Sequence, residues 1–220
     1  MRPVLFASAL AVLSSASASG ANLLTDASFE SPTIPPASFT NFNRDATFGG
    51  WTVVGPQVSI VSGTFAQNGI SFPAEDGAQW LDLTGDGSNG SEGVSQAVGT
   101  IPGHEYQLSF WVGNVNNAGG IFGTTSTVDL MIDGGSHGAF TNSCTTCATT
   151  LAWEQFTTSF VATGATTMVT FLNGDGLSDN SNGLDNVVLA AGGTGVPEPA
   201  TLGLLVLGVV ATLCRRRRAR

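Results

Sequence analysis

The sequence predicts an all-β fold, a β-sandwich wound as a jelly roll, over residues 19–191, and three observations predict it. Short runs alternate apolar and polar side chains with a period of two, each bounded by Gly, Asn, Asp or Pro. No long stretch of this region carries a helical apolar period. Composition agrees: Gly accounts for 29 of 220 residues and charged side chains for 10%, against averages of about 7% and about 25%. Gly, Thr, Ser, Asn and Val dominate where a helical bundle would carry Ala, Glu, Lys and Leu.

The strands follow in order. Residues 51–54 and 58–61 form an early pair split by Gly55-Pro56. Residues 79–83 place Leu81 and Leu83 on one face and Trp80 and Asp82 on the other. Residues 94–98 come next. Residues 106–112 give the cleanest alternation, with Tyr106, Leu108, Phe110 and Val112 facing one way and Gln107, Ser109 and Trp111 the other. Residues 127–132 bury Val128, Leu130 and Ile132. Residues 156–161, 167–172 and 184–189 complete the set. Eight or nine short strands at this spacing fit a sandwich of Greek-key or jelly-roll type.

Charge is distributed unevenly. The chain has no lysine, and five of its seven arginines lie in the last six positions. Fifteen acidic residues between Ser19 and Gly195 face Arg44 alone, a net charge near −14. Such a surface repels phosphate, so nucleic-acid binding is excluded.

Both termini read as addresses. Arg2, an apolar core at 4–13 and Ala16-Ser17-Ala18 form a secretory signal peptide over residues 1–18. A Gly-rich linker at 192–195 leads to residues 196–220. There Pro197, Glu198 and Pro199 precede an apolar run at 200–214, then Arg215, Arg216, Arg217, Arg218 and Arg220. The run is shorter than the ~20 residues that cross hydrocarbon comfortably, and a thinner bilayer or the flanking residues accommodate it. The arginines hold its end in the cytoplasm, so the domain lies outside.

This tripartite segment resembles the PEP-CTERM sorting signal of Gram-negative bacteria. The resemblance implies processing by an exosortase, transient anchoring in the inner membrane through the C-terminal helix, and delivery to the cell surface or extracellular space. It also implies an association with exopolysaccharide and biofilm.

A second resemblance covers the middle of the chain. Asn22-Leu23-Leu24 and Ser28-Phe29-Glu30 open it, before Gly50-Trp51. Leu81-Asp82-Leu83, Gly93-Val94-Ser95-Gln96 and Pro102-Gly103 follow, then Tyr106-Gln107-Leu108-Ser109-Phe110, Trp153 ahead of Phe156, and Gly183-Leu184-Asp185-Asn186-Val187. This order resembles galactose-binding-like jelly rolls. Those include many carbohydrate-binding modules and a related uncharacterised family shared by plant cell-wall and PEP-CTERM proteins. It implies a structural Ca2+ where the first and last strands meet, at Glu30 and Asp185, since hard cations take oxygen ligands. The other reading of the pair is turn capping by Glu30 and backbone bonding by Asp185. The same resemblance puts Trp51 and Trp153 in core packing.

Sugar binding needs aromatic faces for ring C–H groups and polar groups for hydroxyls. Trp80 and Trp111 each oppose an apolar set in their own strand, so they are the ligand-binding candidates, with Asp82, Gln107 and Gln96 as hydrogen-bonding partners. Burial under a second layer or a loop is the alternative. Cys144 and Cys147, spaced CxxC in a polar loop of an exported chain, read as a local disulfide; a redox motif lacks its helix, and zinc would need both His104 and His137. Two acidic loops, 82–92 and 175–180, lack a full EF-hand pattern and read as Asx-rich turns. Two histidines and no Ser/His/Asp arrangement argue against a hydrolase, and Glu75, Asp76 and Glu105 have no spacing that singles out a glycosidase pair. The expectation is a noncatalytic surface module that binds polysaccharide. A purely structural matrix protein, and further off a glycan-processing enzyme, are the rivals.

Overall fold

The structure, a computed structural model, describes residues 20–86, 91–176 and 181–192. The signal peptide at 1–18, most of the linker, the sorting segment at 196–220 with its helix at 200–214, and parts of both acidic loops lie outside the described residues.

Fourteen strands form: β1 (Phe39–Asn43), β2 (Thr47–Phe48), β3 (Trp51–Val54), β4 (Gln57–Ser62), β5 (Ala66–Gln67), β6 (Ile70–Ser71), β7 (Gln79–Asp82), β8 (Gly93–Gly99), β9 (Glu105–Asn114), β10 (Ser126–Ile132), β11 (Gly135–Asn142), β12 (Ala152–Val161), β13 (Thr166–Asn173) and β14 (Gly183–Ala191). Among the described residues there is no helix, and none long and apolar enough to cross a membrane.

Two six-stranded antiparallel sheets face each other. The first runs β1-β4-β7-β14-β9-β12 and the second β11-β10-β13-β8-β3-β2. From β7 to β10 successive strands change sheets, as do β12, β13 and β14, the alternation that jelly-roll winding requires. The sequence pair 51–54 and 58–61 does not form a hairpin. β3 joins the second sheet and β4 the first, because Gly55 at φ 81° turns the chain between layers with the Glu92 backbone packed against it.

Alternation decides what fills the space between the sheets. Leu81 of β7, Leu108, Phe110 and Val112 of β9 and Leu184 of β14 point inward from the first sheet. Val94, Val128, Leu130, Val169 and Phe171 meet them from the second. Phe110 and Phe171 touch across the layers at 5.1 Å between ring centroids. Trp51 is fully buried between Phe29 and Phe171, and its indole N–H donates to the Asp26 carbonyl at 3.0 Å. All nine sequence-predicted strands are present; β1, β2, β5, β6 and β11 are additional.

Candidate functional site

The site grows from the outer face of the first sheet. On β7 the period of two that sends Leu81 inward sends Trp80 and Asp82 outward. Trp80 is nevertheless only 1% exposed. The β5–β6 hairpin and the loops around residues 115–125 and 143–151 lie over it and form a second apolar cluster with Val61, Phe72, Val115, Phe122 and Leu151. Phe72 stacks on Trp80 at 6.3 Å and meets Phe122 edge-on at 5.1 Å. The Trp80 indole N–H donates to the Phe72 carbonyl at 3.1 Å, and that of Trp153 to the Pro73 carbonyl at 2.9 Å. Trp153 lies flat on the sheet because Gly113 and Gly183 are beneath it; a Cβ at either would approach its ring to 2.9 Å. The placement of Trp153 in core packing thus holds for this outer cluster rather than for the space between the sheets.

Beside this cluster a cleft of about 190 Å³ remains open. Phe39, Phe65, Phe72, Trp80, Ile121 and Phe122 make its apolar wall, and Ser59, Gln67, Asp82, Asp86 and Ser181 its polar one. Phe39 and Ile121 are 42% and 50% exposed and form the rim, with Phe39 edge-on to Phe65 at 5.6 Å. The polar wall is held in place. Asp82 Oδ1 accepts from the Thr84 amide at 2.9 Å and hydroxyl at 2.7 Å, and the Ser59 hydroxyl donates to Asn41 Oδ1 at 2.6 Å.

Of the four ligand-binding candidates, the structure brings Trp80 and Asp82 together in this cleft. Trp111 and Gln107 lie on the same outer face but do not line it. Trp111 is half-buried on β9, in register with Gln155 and Asp185, and Gln107 is exposed opposite Ser159 and Ala190. Gln96 is further off, on β8 of the second sheet, where Oε1 accepts from the Thr25 amide at 2.8 Å. Sequence reasoning missed Phe39, Phe65, Phe72, Ile121 and Phe122. None carried a period-two signal: Phe39-Thr40-Asn41-Phe42-Asn43 puts Phe39 and Phe42 on opposite faces of β1, and the others sit in turns and loops.

Glu30 and Asp185 meet the same segment at different points. Glu30 Oε1 accepts from the Ala78 and Gln79 amides at 2.8 and 2.9 Å. Asp185 Oδ2 accepts from the Glu75 and Asp76 amides at 2.9 and 3.1 Å, and its Oδ1 from Asn186 at 2.7 Å. Burial pushes the Asp185 carboxyl up to about 8, against the pull of those three amides. Among the described residues no three His, Cys, Asp or Glu side chains converge as metal ligands. In this structure both carboxyl groups hold backbone amides of the segment 75–79.

Cys144 and Cys147 are both thiols here. Cys147 is buried and donates to the Cys144 carbonyl at 3.2 Å. In the second acidic loop Asp175 behaves as a turn residue: its amide donates to Asn173 Oδ1 at 3.1 Å, and its Oδ2 accepts from the Thr127 amide at 2.8 Å.

The family model described as Protein of unknown function (DUF642) matches residues 22–189. The PEP-CTERM protein-sorting motif matches residues 195–218. No curated protein matches the sequence. Among solved structures, the apo form of a cyclase from Fischerella sp. is 18% identical with a TM-score of 0.56, over 80% of this chain and 98% of that one. The Stig cyclase Fisc from Fischerella sp. TAU, in complex with (3Z)-3-(1-methyl-2-pyrrolidinylidene)-3H-indole, is 17% identical at 0.52, over 78% and 96%. The CBM22-1 xylan-binding domain of Paenibacillus barcinonensis Xyn10C is 18% identical at 0.48, over 80% and 97%. At these identities the likeness to the cyclases is one of fold alone.

Proposed function

We propose that this chain, which belongs to the DUF642 family and carries a PEP-CTERM protein-sorting motif, is an exported surface protein whose β-sandwich binds polysaccharide without catalysis. An exosortase processes it after the C-terminal helix has held it in the inner membrane. The domain then resides at the surface of a Gram-negative cell, among exopolysaccharide and biofilm matrix.

The observation that carries the reading is the cleft on the outer face of the first sheet. Aromatic side chains from Phe39 to Trp80 share its lining with hydroxyl, amide and carboxyl groups. A sugar ring presents the matching pair of surfaces, C–H groups on its faces and hydroxyls at its edge. For the noncatalytic part, the lining carries two acids, of which Asp86 is exposed to solvent. Its buried acid, Asp82, has Oδ1 fixed by two donors of Thr84 rather than free for proton transfer.

The test is retention of the exported protein on a panel of immobilised polysaccharides, with Phe39→Ala as the cleft variant. Saturable retention that Phe39→Ala weakens supports the reading. Absence of retention across the panel moves the protein to a purely structural role in the matrix.

A further inference from the structure

We infer that the cleft selects amino-sugar chains carrying free ammonium groups over neutral chains and over uronic ones; this rests on the polysaccharide-binding reading above. The aromatic side chains of the lining that reach solvent are Phe39, at 42% exposure, and half-buried Phe65, and ring faces attract cations; Phe72 and Trp80 are buried. Two acidic side chains, Asp82 and Asp86, line the same cleft: Asp82 lies two residues from Trp80 on the outer face of β7, and Asp86 is exposed, with Ser59 and Gln67 as neutral partners for hydroxyls. An ammonium group entering the cleft meets aromatic rings and carboxyl groups in one lining, and no side chain of that lining is basic among the described residues.

The rest of the domain points the same way. Arg44 is its sole basic residue other than histidine, it does not line the cleft, and fifteen acidic residues leave the domain near −14. A uronic chain brings one carboxylate per sugar into that field, well within the ~8–10 Å over which salt leaves charges unscreened. A neutral chain keeps the stacking and loses the charge attraction. The expected order is amine, then neutral, then uronate. The cleft volume of about 190 Å³ lies below the ~300–1,000 Å³ of drug-sized sites, so one ring is held deeply and its substituent is read there.

The test titrates the full chain, in mild detergent at mildly acidic pH, with a glucosamine tetramer, its fully N-acetylated counterpart and a galacturonate tetramer, at low and high salt. The amine form should bind about tenfold more tightly than the N-acetylated form, and the gap should narrow at high salt. Asp86→Asn should narrow it as well; Asp86 is exposed, so the variant keeps the fold. Equal or tighter binding of the N-acetylated tetramer, or tightest binding of the uronate, overturns the selectivity and leaves polysaccharide binding standing. No binding to any of the three, together with retention on another chain of the panel, overturns the selectivity alone. No binding here and no retention there overturns both.

Discussion

The ring of Trp153 meets the ring of Trp80 edge-on, 5.9 Å between centroids and 80° between planes. The two residues come from strands β12 and β7 of one sheet, and their contact closes the outer cluster from the side away from the cleft. Trp80 is therefore both a wall of the cleft and a packing element, and the two roles separate under mutation.

Trp80→Ala should destabilise the domain by about 3–5 kcal/mol, the usual cost of emptying a buried aromatic site, and lower the melting temperature clearly. Phe39→Ala, at the exposed rim, should leave melting within roughly 0.5 kcal/mol of wild type and still weaken polysaccharide retention. Thermal unfolding of both variants checks this. A Trp80→Ala protein that melts like wild type would show the outer cluster to be slack.

Asp185 gives the domain a pH dependence of definite sign. Its folded carboxyl lies at about 8, above the ~3.9 of an unfolded chain, so the native state holds this proton longer. The stability it contributes is fully present below about pH 4 and is lost as pH rises toward about 8. Burial raises Asp26 in the same direction, over the pull of its Ser31 and Glu30 amides. Melting curves across this window should slope downward for wild type and less steeply for Asp185→Asn. Parallel slopes would contradict the assignment.

Calcium bears on the same carboxyl groups. With Glu30 Oε1 and both Asp185 oxygens turned to backbone amides, melting should be the same in calcium and in chelator. A calcium-dependent rise that Glu30→Gln abolishes would place a metal at the junction of the first and last strands.

The CxxC thiols differ in reactivity. Burial raises Cys147 to about 11. Burial works against Cys144 too, but the Cys147 thiol and the Thr146 groups bond to it and lower it overall. In the reduced protein an alkylating agent should label Cys144 first, since the thiolate is the nucleophile. In the exported protein we propose that the pair closes to a disulfide. Intact mass spectrometry after alkylation without reductant checks that, and two labelled cysteines would contradict it.

How much was legible follows from periodicity. β9, with Tyr106, Leu108, Phe110 and Val112 on one face, announces itself because burial on one side enforces the period of two, whereas β7 is buried on both faces and only Leu81 and Leu83 mark its inner one. β11 did not, because Gly135, Gly138 and His137 carry no apolar alternation on an edge strand, where a single neighbour suffices. The cleft was half legible. Trp80 and Asp82 follow from their strand, whereas Phe65, Phe72 and Phe122 reach it from a short hairpin and a loop, and only the folded connections bring them over β7. The same folding decides against Trp111 as a wall of the cleft: it shares the face with Trp80, but β14 lies between their strands.

The most direct measurement is saturable retention of the exported protein on the polysaccharide panel, compared with Phe39→Ala at equal folded concentration. The account predicts retention of the wild type and substantially weaker retention of the variant. Equal retention of the two would place any glycan contact outside this cleft, and no retention of either would contradict polysaccharide binding altogether.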